Sequence, residues 1–410
     1  MARIGIAGAG VIGAAMAVQL IERGHDVTVF EKDGESLPAS VGNASILAIP
    51  EIDPIARPDM VFSAPKWLMD PLGPLTLRWQ DLPALTPWLL ALLAAARPSQ
   101  VEASRQALTV LMREALSEHA ALGEQLGLSG HIRHTGALHV YDSQTALDKA
   151  YAHDRQAARI LGFEVERLDA AATRARVPAL EGHLAGAVFS GGYHTLNHPQ
   201  TFLDRLREVI RARGTLVDQA VTAVVPTASG VSLCSRAGDH AFDKVAVAAG
   251  VWSRELVRGL GLRVALETER GYNTTWTDPA VTLPMPVFFS EHGFVATPLD
   301  GALRVGGAVE LAKPEAPANF ARAQAMRTRM RRYVPALPEA GGVEWMGRRP
   351  STPDSVPVIG LSPQDPRIAF AFGHGHLGLT LSAITGRHIA DLLEGRRLPE
   401  LAPFSISRFQ

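Results

Sequence analysis

The chain has 410 residues, of which 47% are hydrophobic and 20% charged, a composition ordinary for globular proteins and sufficient for two or three domain-sized cores. Its formal net charge is −1 and no basic block stands out, which argues against a nucleic-acid partner. The single cysteine, Cys234, excludes an intrachain disulfide framework and a cysteine-bound iron–sulfur cluster. A reducing, cytoplasmic location is therefore expected, and no metal site is.

The first apolar residues do not predict a signal peptide, because residues 4–8 run directly into a glycine motif. No run of about 18–20 apolar residues occurs, so no transmembrane helix is expected. The most lipid-like stretch is residues 86–96, which is too short to span a bilayer. It is interpreted as a buried or interface helix, with peripheral contact at the inner face of the membrane as the alternative.

A strand–helix–strand unit opens the chain. Residues 3–8 are predicted as a buried strand, residues 11–23 as a helix and residues 26–30 as a second strand that ends before Glu31. Two strands joined by a helix imply a right-handed crossover and a parallel sheet. The sequence from Gly8 to Gly13 (Gly-Ala-Gly-Val-Ile-Gly) lies where the first strand meets the helix.

Each glycine of this motif has a physical reason. Gly8 permits a tight turn, Gly10 lets a pyrophosphate approach the backbone, and Gly13 lets the helix pack closely on the strand. The helix N-terminus offers free N–H groups to phosphates, and Glu31 can accept hydrogen bonds from an adenosine ribose. The motif therefore predicts dinucleotide binding, although by itself it fits FAD and NAD equally well.

The rest of the chain mixes both element types, and its middle part looks more antiparallel than its ends. The predicted helices are 100–127, 146–161, 202–213, 320–333 and 379–393, and the predicted strands are 132–141, 216–217, 220–225, 231–234, 245–250, several within 262–310, and 368–372. His194 and His198, just before the third of these helices, are interpreted as capping or pocket residues.

The C-terminal end favours a flavin. Residues 347–360 form an extended segment interrupted by prolines, and residues 372–378 (Phe-Gly-His-Gly-His-Leu-Gly) lie at a strand-to-helix junction. The glycines allow a flat ligand to approach the backbone, and a helix starting near Gly378 would direct its positive end at that ligand. Such a helix stabilises the negative charge of a reduced flavin ring.

Taken together, these motifs resemble the D-amino-acid oxidase superfamily of FAD-dependent oxidoreductases, and within it the bacterial D-amino-acid dehydrogenases. The resemblance is carried by Gly8-x-Gly10-x-x-Gly13 with Glu31, Ser40–Ser45, the Pro/Trp-rich region with Pro58, Trp67, Pro74-Leu75 and Trp88, Glu269–Tyr272, Gly347–Pro350 with Thr352–Asp354, and Gly373–Gly378.

The resemblance implies an α/β plus α+β fold. A Rossmann-like FAD-binding domain (1–50, 181–260 and 345–410) is expected to be interleaved with a mixed or antiparallel-sheet substrate domain (51–180 and 261–344). Some sarcosine oxidase relatives attach the flavin covalently through a C-terminal cysteine. The only thiol of this chain is Cys234, so FAD is expected to be noncovalent.

The resemblance also assigns roles to residues. Arg349 would bind the substrate carboxylate through its planar fork, the alternatives being that it only pairs with an acid such as Asp354, or that Arg348 takes the role. Tyr272 is expected on the substrate side of the pocket, or else as a packed sheet residue, and His374 near the pyrimidine edge of the flavin. The expected cofactor contacts are Gly8, Gly10, Val11, Ile12, Gly13, Glu31, Lys32, Asn43, Ala44, Ser45, Val221, Ala249, Gly250, Gly347, Gly375, His376, Leu377, Gly378, Leu379 and Thr380.

Two departures from the family pattern leave the particular amino acid open. Ser45 stands where the dehydrogenases often have glycine, so its side chain is expected to change the shape of the flavin pocket. Asn273 and Thr274 stand where many relatives have a histidine.

Three functions follow. The first is oxidation of a D-amino acid, including cyclic D-proline or D-hydroxyproline types, by hydride transfer from the α-carbon to flavin N5, with electrons passed to a quinone or other acceptor. This chemistry needs a neutral amine and good positioning but no side-chain base at the α-carbon. The second is a glycine/sarcosine-type amine oxidase that uses oxygen. The third is a non-catalytic FAD-binding assembly protein.

Overall fold

The computed structural model describes residues 1–32, 38–60, 70, 73, 75–128 and 130–410. Trp67 and Pro74, which contribute to the resemblance, lie outside the described residues. The helices are α1 (Val11–Glu22), α2 (Leu82–Ala95), α3 (Pro98–Gln125), α4 (Gln144–Leu161), α5 (Ala170–Arg176), α6 (Pro199–Arg213), α7 (Ser253–Gly259), α8 (Ala321–Met330) and α9 (Ser382–Leu393).

A six-stranded sheet carries the glycine motif. Its strands lie in the order β10 (Thr215–Asp218), β2 (Asp26–Glu31), β1 (Arg3–Ala7), β14 (Lys244–Val247), β21 (Ile368–Phe372) and β20 (Val358–Leu361). All neighbours are parallel except β20 and β21. Helix α9 packs on α1 so closely that a Cβ on Gly386 would lie 3.0 Å from backbone atoms of Ala15 and Met16. The two ends of the chain thus form one core, as the parallel-sheet pattern predicts.

A second sheet has nine strands and is mostly antiparallel. Its order is β19 (Val343–Ser351), β15 (Glu267–Thr277), β18 (Ala302–Leu311), β17 (Phe294–Leu299), β16 (Val287–Phe289), β6 (Ala137–Tyr141), β8 (Gly186–Ser190) and β7 (Val165–Asp169), with β4 (Leu75–Leu77) beside β18. One face, which includes Tyr272 and Phe294, packs with Met326 and Met330 of α8 in a large apolar core. The other face includes Asn273, whose amide binds the carbonyl of Gly42.

Two three-stranded sheets complete the fold. They are β11 (Val221–Pro226), β12 (Val231–Ser235) and β13 (Gly238–Phe242), and β3 (Ile46–Ala48), β9 (Tyr193–Leu196) and β5 (Ile132–Arg133). His198 caps helix α6 by accepting a hydrogen bond from the Gln200 N–H at 3.2 Å. Of the two roles predicted for His198, helix capping or a place in a pocket, the structure shows helix capping.

Some predicted elements differ from the structure. The strand expected at 132–141 is divided, because Gly136 has a φ of 64° and turns the chain from one sheet to another. The last helix begins at Ser382 rather than near residue 379, because residues 375–377 form a separate 3₁₀ turn. The helix expected at 320–333 is confined to α8.

The predicted domain limits need correction at three places. Strands β8 and β19 pair within the nine-stranded sheet, although residues 181–190 and 345–351 were expected in the FAD-binding domain. Strand β19 belongs to the second sheet because its backbone pairs with the long strand β15 along nine residue pairs. Helix α3, expected in the substrate domain, places Leu108, Leu111 and Met112 in the same core as α1 and α9.

Within the described part of the chain, no helix is both long and apolar enough to cross a membrane. Helix α2 covers the predicted apolar segment. It buries Leu85 and Trp88, whereas Leu90 and Leu93 are 61% and 52% exposed. Trp79, just before this helix, is 64% exposed.

Candidate active site

The glycine turn is closed toward the sheet and open toward the helix N-terminus. Gly8 has a φ of 109°, and a Cβ on it would lie 2.4 Å from the carbonyl oxygen of Ala248. A Cβ on Gly13 would lie 1.9 Å from the carbonyl oxygen of Gly8. On Gly10, by contrast, a Cβ would meet only the Ser40 hydroxyl, at 3.4 Å. This is the shape of a cradle into which a pyrophosphate fits.

The start of α1 leaves some backbone donors available for such a ligand, although the Val11 N–H already donates to the Ser40 hydroxyl at 2.9 Å. Ile12 and Gly13 follow in the first helical turn, where backbone N–H groups have no intrahelical acceptor. The predicted residues of this turn therefore lie together in the structure.

Glu31 lies beside this turn, as expected, with a neighbour that the sequence did not point to. Its Oε2 accepts a hydrogen bond from the Ala9 N–H at 2.6 Å. Arg207 of α6 donates to the Ala9 carbonyl at 2.9 Å and lies 3.4 Å from the Glu31 carboxylate. Burial raises the pKa of Glu31, and Arg207 opposes this effect. Arg207 was not predicted, because nothing in an amphipathic helix marks which arginine reaches another element.

Further predicted contacts surround the same end of the sheet. The Ala248 N–H donates to the Ala7 carbonyl at 2.8 Å, which brings the following Ala249 and Gly250 next to Gly8. The Lys32 ammonium lies 4.5 Å from the centre of the Trp252 ring. Val221 begins strand β11. Ala249 and Gly250 thus lie next to the glycine turn, whereas Val221 has no described contact with it.

The segment 40–45 is held rigidly. The Asn43 amide donates to the Ser40 carbonyl and its oxygen accepts from the Ser45 N–H, each at 2.7 Å. Ala44 packs against the cluster around Ile46. Ser45 has a φ of 57°, a conformation that favours glycine, and its hydroxyl donates to the Leu196 carbonyl at 2.9 Å. The Ser45 hydroxyl is thus bound to strand β9, which corrects the expectation that it alters the flavin pocket.

Arg304 of β18 also fixes this segment and was missed in the sequence. Its guanidinium donates to the carbonyls of Val41, at 3.2 Å, and Asn43. Desolvation lowers the pKa of Arg304 to about 10. A buried arginine bound to loop carbonyls is a positioning device, and only the packing of the two sheets reveals it.

The C-terminal turn is held from several sides. Gly373 and Gly375 have φ values of 81° and 54°, and the backbone of His374 bridges to Ser351 of β19. The Leu379 carbonyl accepts from Nε2 of His119 at 2.6 Å, and the Thr380 hydroxyl accepts from the Ala48 N–H at 3.0 Å. The backbone from Gly375 through Leu377 and Gly378 therefore forms a fixed surface.

Two histidines of this turn line one cavity. His374 and His376 both line it, together with Ser351 and Thr352. The His374 ring is buried, and its Nε2 lies 3.0 Å from the Thr385 hydroxyl. Burial lowers the pKa of His376, while Glu51 opposes and Arg349 adds to this effect. His376 therefore lies near Arg349.

Arg349 is a side chain with no partner of its own. Its guanidinium lies over Gly271 of β15, where a Cβ would come within 2.3 Å of Nη2. It forms no hydrogen bond or ion pair with any residue that the structure describes. Asp354, the suggested alternative partner, instead accepts a hydrogen bond from Arg408 at 2.9 Å. Desolvation lowers the pKa of Arg349, and Glu269 opposes this shift. The group is therefore available to bind an anion.

Tyr272, predicted on the substrate side of the pocket, lies on the sheet face opposite to that of Arg349. In the β15–β19 pairing, Tyr272 lies opposite Met346, and Arg270 lies opposite Arg348. The Tyr272 hydroxyl donates to Glu310 at 2.5 Å and accepts from the Asn319 N–H at 3.1 Å. The expected place of Tyr272 in the substrate pocket is therefore wrong, because neighbouring residues of a strand point to opposite faces.

Arg348 is likewise occupied, since its Nε donates to the Pro314 carbonyl at 2.7 Å. Gly347 was predicted to contact the cofactor, but the structure shows a different reason for a glycine at this position. A Cβ on Gly347 would lie 2.0 Å from the Trp345 ring, and one on Gly42 would lie 2.3 Å from the same ring. The indole is thus inserted between two glycines at the face that carries Arg349.

Replacing Tyr272 by phenylalanine should destabilise the protein without weakening substrate binding. The change leaves the buried Glu310 carboxylate and the Asn319 N–H without this partner, which costs about 1–3 kcal/mol of unfolding free energy. Denaturant unfolding and steady-state KM measure the two effects separately. A large rise in KM at unchanged stability would contradict the placement of Tyr272.

Replacing Gly271 by alanine should displace the Arg349 guanidinium and leave the fold intact. We expect kcat/KM to fall by about tenfold or more, because small displacements of a bound carboxylate misalign the reacting atom. Gly360→Ala is the matched control, since a Cβ there only reaches Ser405 Cα at 4.0 Å. Equal kinetics for the two variants would argue against this position of Arg349.

Buried neutral histidines should make stability depend on pH. Burial lowers the pKa of His119 to about 4 and that of His374 to about 3, both from 6.5. Between pH 6.5 and about 4 the unfolded chain therefore binds more protons than the folded one, and stability falls as the pH falls. Each group contributes up to about 1.4 kcal/mol per pH unit. Unfolding at saturating cofactor from pH 7 to 5 tests this, and His374→Asn should reduce the slope.

The arrangement fits a flavin dinucleotide. The Gly8–Gly13 cradle and Glu31 suit its adenosine and pyrophosphate half, and the fixed backbones of 42–45 and 375–379 suit its flat ring. Arg349, over Gly271, lies on the sheet face that contacts the 42–45 segment through Asn273 and Gly42. A carboxylate-bearing substrate can thus be held next to the ring.

Comparisons with known proteins agree with this geometry. The family model described as DAO, FAD dependent oxidoreductase, matches residues 3–392. The chain is 34% identical to the D-amino-acid oxidase of Bradyrhizobium diazoefficiens, an alignment covering 99% of this chain and 98% of the relative. It is 31% identical to the D-amino acid dehydrogenase of Paramagnetospirillum magneticum, with 96% and 95% covered.

Among solved structures, glycine oxidase from Geobacillus kaustophilus superposes with a TM-score of 0.79 at 24% identity, covering 100% of this chain and 99% of that one. L-Proline dehydrogenase from P. horikoshii gives a TM-score of 0.74 at 17% identity, covering 99% and 97%. At these identities the likeness shows the fold alone.

Proposed function

We propose that this chain, which belongs to the DAO family of FAD-dependent oxidoreductases, oxidises free D-amino acids at the α-carbon, cyclic D-proline or D-hydroxyproline types included. The observation that carries the proposal is the unpartnered guanidinium of Arg349 over Gly271. The relatives named D-amino-acid oxidase and D-amino acid dehydrogenase supply the D-configuration.

Family membership confirms several sequence-based predictions. The resemblance is confirmed, as are the α/β plus α+β fold class, the FAD cofactor and the assignment as an FAD-dependent oxidoreductase. Gly8, Gly10, Gly13 and Glu31 would hold the adenosine and pyrophosphate half of FAD. The backbones of 42–45 and 375–379 would hold the flavin ring.

The residues of the chain act by positioning. FAD, when bound, supplies the acceptor for the α-hydrogen and its electron pair. Arg349 binds the carboxylate through two parallel hydrogen bonds, which fixes the α-carbon. Burial lowers the pKa of His374 to about 3, which makes its ring a weak base, and its Nε2 lies 3.0 Å from the Thr385 hydroxyl, so we assign it no proton transfer with the substrate. Enclosure of Arg349 by protein strengthens its attraction for the carboxylate.

A quinone or a similar acceptor is proposed as the destination of the electrons. The relatives named dehydrogenases favour an acceptor other than oxygen, although another relative is named an oxidase. A peripheral membrane contact through Trp79, Leu90 and Leu93 would bring the protein to a lipid-soluble acceptor. We propose a cytoplasmic protein with this surface at the inner face of the membrane.

Anaerobic flavin bleaching tests the proposal. The FAD-loaded protein is mixed with a panel of D-amino acids, their L-enantiomers, glycine and sarcosine, and the flavin absorbance is followed. We expect bleaching by at least one D-amino acid and faster reoxidation by a soluble quinone than by oxygen. Bleaching by L-enantiomers alone would overturn the proposal.

Two other results would select the alternatives. Bleaching by glycine or sarcosine alone, with rapid reoxidation by oxygen, indicates an amine oxidase. Tightly bound FAD that no amine reduces indicates an assembly protein.

A further inference from the structure

We propose that Glu269 is a second anchor of the substrate site, which binds the α-ammonium group of the amino acid while Arg349 binds its carboxylate. We further infer that Glu269 accepts one proton from that ammonium group. This inference rests on the proposed function and adds to it a catalytic residue and the zwitterionic form in which the substrate binds.

The strand register places Glu269 at the site. Glu269 of β15 lies directly opposite Arg349 of β19. Glu269, Gly271 and Asn273 alternate along β15 and therefore share a face. On this face Arg349 covers Gly271, and Asn273 binds the Gly42 carbonyl at 2.7 Å. Glu269 thus lies on the sheet face that contacts the segment 42–45, which is proposed to hold the flavin ring.

The other end of this face meets the C-terminal turn. Ser351 follows Arg349 by two residues on β19, and its backbone bridges to His374. The Ser351 hydroxyl also stabilises the ionised form of Glu269. Glu269 is therefore located between the two segments that fit the flavin ring.

Neighbouring buried carboxylates form close ion pairs, whereas Glu269 has only the electrostatic influence of Arg349. Glu267 pairs with Arg254, and Glu310 pairs with Arg270 at 3.1 Å. Glu269 is 4% exposed and forms no ion pair among the described residues, since Arg349 extends over Gly271 instead. A buried charge without a close partner is costly.

An α-amino acid supplies both missing partners at once. As a zwitterion it brings a carboxylate to Arg349 and an ammonium group to Glu269, so the filled site has no excess charge. Desolvation raises the pKa of Glu269, while Arg349 and Ser351 oppose this shift. His376, near Arg349, completes the titratable groups that face the pair.

The proton transfer is balanced. One ammonium N–H bond breaks, an O–H bond forms on Glu269, and the nitrogen lone pair is released. The α-hydrogen then leaves with the C–H electron pair to FAD, the oxidant of the proposed function. The substrate becomes an iminium ion, and Glu269 carries the displaced proton.

Two achiral probes separate the two anchors. 2-Aminoisobutyrate has an ammonium group and a carboxylate but no α-hydrogen, so it binds without being oxidised, and isobutyrate lacks the ammonium group. Binding of each to the FAD-loaded protein is measured from the change in flavin absorbance. In the wild type, 2-aminoisobutyrate should bind more tightly. In Glu269→Gln its affinity should fall by about tenfold or more, whereas isobutyrate should bind as well or better.

Glu267→Gln is the matched control, because it removes a carboxylate from the same face that already has a partner. It should not change the ratio of the two affinities. Equal losses for both probes in Glu269→Gln would overturn the inference. Loss of isobutyrate binding in Arg349→Lys supports the carboxylate site independently, so failure of Glu269 is distinguishable from failure of the proposed function.

If Glu269→Gln does not retain FAD, the affinities of the wild type for the two probes still test whether Glu269 binds the ammonium group. The preference of the wild type for 2-aminoisobutyrate should decrease as the pH is lowered from about 8 to about 6, a range in which isobutyrate stays ionised while Glu269, whose pKa burial raises, begins to take up a proton. Equal affinities of the wild type for the two probes at neutral pH would overturn the inference.

Discussion

Replacing Arg349 by alanine should lower kcat/KM for amino-acid substrates by about two to three orders of magnitude while FAD remains bound. Two charge-assisted hydrogen bonds to the carboxylate are lost, and together they contribute about 3–4 kcal/mol. Arg349 forms no hydrogen bond with a described residue, and the buried Glu269 opposite it is the acidic group that its removal affects. Steady-state kinetics and the flavin content of the purified variant measure the two effects.

Arg348→Ala is the control for this prediction. Arg348 is the adjacent residue on the same strand, but it binds the Pro314 carbonyl on the opposite face. Its replacement should affect stability more than kcat/KM. If the two variants exchanged their phenotypes, the register of β15 and β19 would be misassigned by one residue.

Replacing Gly13 by alanine should both destabilise the protein and weaken FAD binding. The new Cβ would lie 1.9 Å from the Gly8 carbonyl oxygen, so helix α1 must move away from strand β1. We expect a loss of about 1–3 kcal/mol in unfolding free energy, as for other overpacked cores. The displaced helix N-terminus would no longer face the pyrophosphate. Thermal unfolding and flavin content after gel filtration test this.

Gly259→Ala is the comparison for the backbone effect. This glycine lies in helix α7, where a Cβ would meet nothing within 4 Å. The substitution should leave FAD binding unchanged and stability equal or slightly higher. A Gly13→Ala protein with normal flavin content and stability would contradict the close packing of α1 on β1.

The N-terminal half of the site could be predicted because its determinants are local. The strand, glycine turn, helix and Glu31 follow one another within one supersecondary unit, and each glycine has a steric reason that the sequence displays. The mixed architecture was predictable for a similar reason, since buried strands and amphipathic helices have different hydrophobic periods.

The faces of the second sheet could not be predicted in the same way. Tyr272 and Arg349 both belong to family-like motifs, yet a register of β15 against β19 places them on opposite sides. A shift of one residue would exchange the faces, and only the complete sheet fixes it. Glu269 was overlooked for the same reason, because its neighbour across the sheet is distant in sequence.

Prediction from the sequence also fails for residues that contact the glycine turn or the segment 40–45 from distant parts of the chain. Arg207 and Arg304 bind backbone carbonyls of the nucleotide-binding segments from other elements. His374 and His376 both line the cavity beside Ser351, but the Nε2 of His374 also lies 3.0 Å from the Thr385 hydroxyl of helix α9. Such contacts depend on tertiary packing, which no local pattern encodes.

Single-turnover flavin reduction with labelled substrate shows whether the α-hydrogen of a D-amino acid is transferred to FAD. The FAD-loaded protein is mixed anaerobically with a reactive D-amino acid carrying either hydrogen or deuterium at the α-carbon, and flavin bleaching is followed. We expect slower bleaching with deuterium, because breaking this bond is the step that reduces the flavin. Bleaching at equal rates for both isotopic forms and for the L-enantiomer, or no bleaching at all, would contradict this expectation.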